Sequence, residues 1–153
     1  MIIAPVLKGS TIQVVAELQA TTKRRAIEEL VVAASASSAV SNPKALLAAV
    51  QRRERLEGTG LGSGVAAPHA ITSAVSGLVL VFGRSSRGIP FGAVDRRLVH
   101  LVFLLAVPSR QVNQYLRALG AITRLMTRKT MHDRLLKLST PSAIRRFLRQ
   151  HLA

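Results

Sequence analysis

A histidine behind a glycine-rich segment is the residue whose type and surroundings point most directly to chemistry. Four glycines alternate with other residues from Gly58 to Gly64, and Pro68 immediately precedes His69. Pro68 has a fixed φ and restricts Ala67 to an extended conformation, so the chain reaches His69 in a defined direction. Neutral imidazole can attack phosphorus, and glycine N–H groups can closely approach phosphoryl oxygens. These residues fit a phosphoryl-accepting histidine at a strand end, and they also fit a structural turn histidine.

Arg53 and the glycine-rich segment exclude two nucleotide-binding motifs and remain compatible with phosphoryl transfer. The segment lacks the Gly-Lys-Ser/Thr ending of a P-loop, and no third glycine follows Gly58-Thr59-Gly60 at the step of a dinucleotide fingerprint. The Arg53 guanidinium and the N–H groups of the segment could stabilise the equatorial oxygens of a transferring phosphoryl group. There is no cysteine, and the four histidines have no acidic companions at ligand spacing. We therefore expect no metal site.

The other three histidines are predicted to have structural or surface positions. His100 lies inside an apolar run and is expected to be a buried or half-buried residue of the sheet. It is a possible second candidate for the site if its strand is the neighbour of the strand that carries His69. His132 and His151 stand among polar residues near the C-terminus and are expected at the surface.

Two helices are predicted ahead of the glycine-rich segment. Thr21 and Thr22 precede apolar residues at helical spacing, and this helix is expected to end in the Ser/Ala stretch 33–41. Asn42 followed by Pro43 is typical of a helix start, with asparagine as N-cap and proline in the first turn. The second helix is expected to end near Arg55.

Strands are predicted in the middle of the chain and helices after it. The apolar runs 78–82 and 98–107 predict buried strands joined by a turn-rich connector, 83–95, whereas residues 9–18 are short and mixed in character. After Pro108 an apolar stripe predicts a helix, with arginines on the opposite face, and the segments 130–138 and 141–152 predict two shorter helices. The stripe consists of Val112, Tyr115, Leu116, Leu119, Ile122 and Met126. This order of elements predicts a layered α/β domain.

Length and composition bound the remaining possibilities. A chain of 153 residues with 48% apolar residues suits one domain, residues 1–153, and excludes disorder of the whole. No apolar stretch reaches the roughly 18 residues that a membrane span needs. The N-terminal run 1–7 has neither the basic region nor the length of a secretory signal. We therefore expect a cytoplasmic protein.

The net charge of +15 is the feature that fold alone does not explain. Residues 108–153 contain ten Lys and Arg and one acid, Asp133. A solvated helix face accounts for part of this charge, and an acidic partner such as nucleic acid, an anionic membrane surface or an acidic protein would account for the rest. The basic segment has few aromatic residues and no reader motif, which disfavours nucleic acid.

The site motif closely resembles a known family. Arg53-Glu54, followed by Thr59-Gly-Leu-Gly-x-Gly-Val-Ala-x-Pro-His69, is similar to the enzyme IIA domains of the bacterial sugar phosphotransferase system, of the fructose/mannitol type that includes the nitrogen-regulatory proteins. The resemblance continues through Phe91-Gly92, the run from Val99 to Pro108 and the helices after it. It covers nearly the whole chain.

The resemblance implies a fold, an activity and partners. The expected fold is one α/β domain with a mixed sheet flanked by helices on both faces. His69 would accept a phosphoryl group from a small HPr-like phosphocarrier protein and pass it to, or signal through, a transporter, kinase or regulator, without a cofactor. Arg53 corresponds to the active-site arginine of the family, Thr59 lies beside it, and Gly60, Gly62 and Gly64 would bind the phosphoryl group.

Three departures from the family pattern leave a second interpretation open. Tyr115 stands where many members have a second histidine, and a phenol donates a hydrogen bond but carries no positive charge at neutral pH. Ala70-Ile71 brings no basic residue after His69, and Ala67 replaces a common isoleucine. The alternative is therefore a binding module of the same fold that has lost phosphoryl transfer and contacts an acidic protein or nucleic acid.

Overall fold

The fold is built on one mixed sheet with helices on both faces. The structure, a computed structural model, describes Leu7 and residues 10–152, so most of the N-terminal run 1–7 lies outside the described residues. The strands are β1 (Thr11–Val15), β2 (Gly60–Gly62), β3 (Val65–Ala66), β4 (His69–Ile71), β5 (Val79–Ile89) and β6 (Val99–Val107). The helices are α1 (Lys23–Ala34), α2 (Pro43–Leu56), α3 (Val112–Thr127), α4 (Lys129–Lys137) and α5 (Pro141–His151).

Strand β6 lies at the centre of the sheet because both of its faces are apolar. The strand order is β1-β5-β6-β3-β2, and β4 also pairs with β6. Leu101, Phe103 and Leu105 of β6 pack toward α3, α4 and α5, whereas Leu104 and Ala106 pack toward α1 and α2. A strand that is covered on both faces needs a continuous apolar run, and residues 98–107 supply one.

The short strands β3 and β4, which pair with the same side of β6, place His69 along β6. Both run parallel to β6: Val65 of β3 pairs with Leu101, and His69 of β4 pairs with Leu105. Between them Pro68 has no N–H to donate, which interrupts the ladder. Its carbonyl still accepts a hydrogen bond from the Leu105 N–H at 3.0 Å. His69 is therefore the first residue of β4, directly after the break that separates this edge strand from β3.

Most predicted elements are confirmed, but the glycine-rich segment also forms the strands β2 and β3, which were not predicted, and two further strands differ. Side chains cap α1 and α2 at Thr22 and Asn42, as their start signals predict. Strand β1 was not predicted, because its residues do not alternate cleanly and it forms by parallel pairing with distant β5. Strand β5 runs on to Ile89 through most of the predicted connector, with an irregular register between Arg84 and Ile89.

The predicted apolar stripe of α3 is correct except at one residue. Tyr115, Ile122 and Met126 are buried in the core, but the Leu116 side chain is 55% exposed. Leu116 lies one residue after Tyr115, about 100° around the helix, which takes it to the edge of the buried face. None of the helices in the described part of the chain combines the length and the apolar character that crossing a membrane requires.

Candidate functional site

The ring of His69 is oriented by one backbone hydrogen bond. Its Nδ1 lies 3.0 Å from the carbonyl oxygen of Ala67, two residues earlier. A carbonyl oxygen only accepts, so Nδ1 must carry the proton and donate it. The lone pair of the neutral ring is then on Nε2, on the side of the ring away from the backbone. Nε2 is therefore the nucleophilic atom of this histidine.

The surroundings of His69 keep the ring neutral. Partial burial lowers the pKa of His69 below its ordinary value, and the positive charge of Arg53 lowers the pKa further. The hydrogen bond to Ala67 and the negative charge of Glu54 raise the pKa, but together they do not reverse the shift. A neutral ring is the form that can attack an electrophile, so at neutral pH His69 is ready to act as a nucleophile.

Tyr115 packs against His69, as its place in the apolar stripe predicts. The two ring centroids are 5.1 Å apart with a tilt of 43° between the planes. Burial raises the pKa of Tyr115 above its ordinary value, although Arg53 opposes the shift. The phenol is therefore a neutral hydrogen-bond donor at pH 7. Among the described residues none accepts a hydrogen bond from its hydroxyl.

Arg53 lies in the last turn of α2, where its backbone and side chain fix the helix end. Its Nη1 donates to the Glu57 carbonyl oxygen at 2.9 Å, and its own carbonyl accepts from the Glu57 N–H at 3.4 Å. The guanidinium is close enough to His69 and Tyr115 to shift the pKa of both. Arg53 therefore adds positive charge to the surroundings of the His69 ring.

Thr59 acts on His69 through the backbone and through a buried carboxylate. Its carbonyl accepts the Ala67 N–H at 3.0 Å, and Ala67 in turn holds the His69 ring. The Thr59 hydroxyl donates to Glu54 at 2.8 Å, and Lys23 pairs with Glu54 at 3.2 Å. The sequence missed this role of Glu54, although the Arg53-Glu54 pair in the motif was a signal. The Glu54 side chain is only 4% exposed, so its carboxylate interacts with Lys23 and Thr59 and not with solvent.

The structure does not bring two of the three predicted phosphate-binding glycines to His69. The Gly64 carbonyl accepts the His100 N–H, whereas His69 pairs with Leu105, five residues along β6 and roughly 16 Å away. The N–H of Ser63, between Gly62 and Gly64, already donates to Asp95 at 2.7 Å. This geometry counts against Gly62 and Gly64 as ligands of a group held on His69.

Gly60 is the third predicted glycine, and a close approach explains it. It pairs with Ala66 across the β2–β3 hairpin, and a Cβ at this position would lie 2.9 Å from the Ala93 Cβ. Glycine is therefore required here for packing against the connector. Its binding of a phosphoryl group stays a prediction.

The other histidines lie away from His69. His100 is half-buried, as predicted, and its Nδ1 is 2.8 Å from the Ser85 carbonyl oxygen. Its strand does neighbour that of His69, but the register separates the two residues. The prediction of surface positions is wrong for His132, whose side chain is 15% exposed and holds the Ser63 carbonyl, and for His151, which packs on Phe147. Within the described residues no group of three histidine, aspartate or glutamate side chains could hold a metal ion.

A neutral histidine at a sheet edge, oriented by a carbonyl and close to an arginine and a phenol, has the chemistry that a phosphohistidine-type phosphotransfer protein needs. The profile of the family described as the phosphoenolpyruvate-dependent sugar phosphotransferase system, EIIA 2, matches residues 6–151. The chain belongs to this family and is an enzyme IIA domain, a phosphocarrier component of the phosphotransferase system, as the motif predicts.

Similar proteins agree with this assignment. The fructose-specific EIIA component of Haloferax volcanii is 34% identical over 123 residues, which is 80% of each chain. The fructose-specific EIIABC component of Bacillus subtilis is 31% identical over 88% of this chain, but this chain matches only 21% of that longer protein. The nitrogen regulatory protein IIA-Ntr of Neisseria meningitidis superposes with a TM-score of 0.81 at 28% identity, over 89% of this chain and 92% of the other. The predicted fold, a mixed sheet flanked by helices, is thereby confirmed.

Proposed function

We propose that this enzyme IIA domain accepts a phosphoryl group on Nε2 of His69 from a small histidine-phosphorylated carrier protein, and then transfers it or holds it as a signal. The observation that carries the proposal is the hydrogen bond from Nδ1 to the Ala67 carbonyl, which leaves the lone pair on Nε2. The cytoplasm is the expected location.

The transfer step balances without a cofactor. The Nε2 lone pair attacks phosphorus and forms the new N–P bond, while the N–P bond of the donor breaks and its electron pair stays on the donor nitrogen. Nδ1 keeps its proton, so positive charge develops on the His69 ring. The Ala67 carbonyl faces that proton and stabilises the charge, because hydrogen bonds to ionised groups are stronger than neutral ones.

Arg53 and Tyr115 support the moving phosphoryl group in different ways. The Arg53 guanidinium supplies positive charge beside the ring, where the equatorial oxygens need it. Tyr115 supplies a neutral donor from its position 5.1 Å from the imidazole, measured between ring centroids. Thr59 is a positioning residue, because it fixes the Ala67 segment and touches Glu54.

The test is phosphorylation of the purified protein by its own carrier. The cell's small phosphocarrier, charged with radioactive phosphate, should label one histidine, and the label should be lost in acid and retained in alkali, as a phosphoramidate is. Peptide mapping should place it on the peptide that contains His69, and phosphorus NMR should assign it to Nε2. A label on another residue, or no label, would contradict the proposal.

The second interpretation, a binding module without transfer, has one observation in its favour. Tyr115 occupies the place beside His69 where a second, chargeable histidine was expected, so the site has one cation fewer. A protein that binds its partners unchanged but takes no label under the conditions above would support this interpretation.

A further inference from the structure

Two exposed apolar side chains flank the reactive ring. Ile71 is two residues after His69 on β4, so both side chains point to the same face, and Ile71 is 51% exposed. Leu116, at 55% exposure, follows Tyr115, whose ring lies against His69. Large apolar side chains beside a nucleophile form the contact area that a protein donor covers when it docks.

Arginines surround this apolar centre. Arg53 acts electrostatically on His69, and Arg110 shares a hollow of about 450 Å³ with Ile71. Nη2 of Arg110 donates to the Ser76 carbonyl oxygen, at 2.6 Å, which fixes its position. Arg117 is exposed on α3 directly after Leu116, outside the face defined by Tyr115, and extends the positive charge outward from Leu116. Arginine forms bidentate contacts with carboxylates and is common at protein interfaces.

Acidic residues do not offset these charges. Among the described residues of α2, β4 and α3 and the C-cap of α2, the acids are Glu54 and Glu57. Glu54 is buried and engaged with Lys23 and Thr59, so it offers nothing to an approaching protein. Glu57 alone is exposed. The surface that a phosphoryl donor must reach is therefore positively charged.

We propose that the docking face, defined by Arg53, His69, Ile71, Arg110 and Leu116, takes a phosphocarrier whose own contact surface has an apolar centre and an acidic rim. The inference rests on the proposed function, since it names the partner of that site. Charge complementarity argues for it: a basic rim on the donor would meet this face with like charges and slow the encounter.

The experiment compares two double variants with the same net charge. Arg110→Glu/Arg117→Glu reverses charges around the docking face. Arg124→Glu/Arg146→Glu reverses two exposed arginines farther along α3 and on α5 and serves as the control. The rate constant for labelling by the cell's phosphorylated carrier, kcat/KM, is measured for both and for the wild type from 20 mM to about 1 M NaCl, where the Debye length is roughly 3 Å. Circular dichroism checks that both variants fold.

Each outcome bears on the proposal. We expect the wild-type rate to fall with salt, the docking-face variant to be about tenfold slower at low salt, the control to change by less than about twofold, and all three to converge at about 1 M NaCl. A wild-type rate that rises with salt, or a faster docking-face variant, would overturn the acidic rim. Equal losses in both variants would reduce the effect to net charge and also overturn it. No labelling of the wild type at any salt concentration would contradict the proposed function instead.

Discussion

His69 and His100 lie on paired strands and are held by the same kind of hydrogen bond, yet the surroundings of their rings differ. Each donates Nδ1–H to a backbone carbonyl, that of Ala67 at 3.0 Å and that of Ser85 at 2.8 Å. The ring of His69 faces Tyr115 and a surface with exposed apolar side chains. The two carbons that flank Nε2 of His100 face Gly88 and Gly64. The surroundings of the two rings, and not the hydrogen bond, distinguish them: His69 packs against Tyr115 and is influenced by the charge of Arg53, whereas His100 lies against two glycines.

The first test replaces each of the two histidines in turn. His69→Ala should abolish labelling by the phosphorylated carrier, because no other described side chain places a nucleophilic nitrogen at this point. His100→Gln can keep a donor for the Ser85 carbonyl and should retain labelling within about twofold, since a neutral hydrogen bond far from the site contributes only about 1 kcal/mol. Radiolabelling of both variants is the measurement. Label that survives in His69→Ala would reverse the assignment.

The second test measures how closely Gly88 packs against the His100 ring. Gly88 has a φ of +88°, and a Cβ there would lie 2.9 Å from both Cε1 of His100 and Cβ of Leu98. Gly92 also has a positive φ, of +68°, but nothing lies within 4 Å of such a Cβ. Gly88→Ala should lower the free energy of unfolding by about 3 kcal/mol, and Gly92→Ala by about 1 kcal/mol, because only the first adds a clash to the strain. Urea unfolding measures both free energies. Equal losses for the two variants would show that Gly88 is not tightly packed against His100 and Leu98.

The third test follows the charge state of His69 with pH. Its pKa is below the ordinary value of 6.5, so the ring should stay neutral at pH 7 and gain a proton only in more acidic solution. Labelling should therefore be constant above neutrality and decline as the pH falls through that pKa. Arg53→Met removes a positive neighbour and should move the titration to higher pH, which NMR of the His69 ring can record. A shift to lower pH would contradict the electrostatic role of Arg53.

The smallest effect is expected at Tyr115. Tyr115→Phe removes one neutral hydrogen-bond donor, worth about 0.5–1.5 kcal/mol, and should slow labelling of His69 by a factor of roughly 2 to 12. Tyr115→His restores a chargeable ring beside His69 and should match or exceed the wild-type rate. Rapid-quench labelling distinguishes these cases. If the wild type takes no label and Tyr115→His is also inert, the binding-module interpretation gains.

Local signals explain why much of the fold could be predicted. Asn42-Pro43 starts α2 because a side-chain cap and a fixed φ act within one turn, and the Asn42 side chain does accept the Ala45 N–H. The apolar run that became β6 needed no knowledge of its neighbours, since only a strand covered on both faces is apolar throughout. Strand β1 depends on pairing with β5, more than 60 residues away, and no local pattern reveals it.

For the site, the sequence by itself determined the family and its class of chemistry, because Pro68-His69, Arg53 and Thr59 are local in the motif, and the family match confirms the enzyme IIA assignment. The role of His69 as the phosphoryl acceptor stays a prediction. Only the tertiary structure decided which groups share a surface. Parallel pairing with β6 separates His69 from Gly64 and His100, although all three are close in the sequence or on adjacent strands. The Glu54 side chain is buried, whereas Arg110 and Arg117 are exposed, because distance and solvent access are set by packing between elements and not by spacing along the chain.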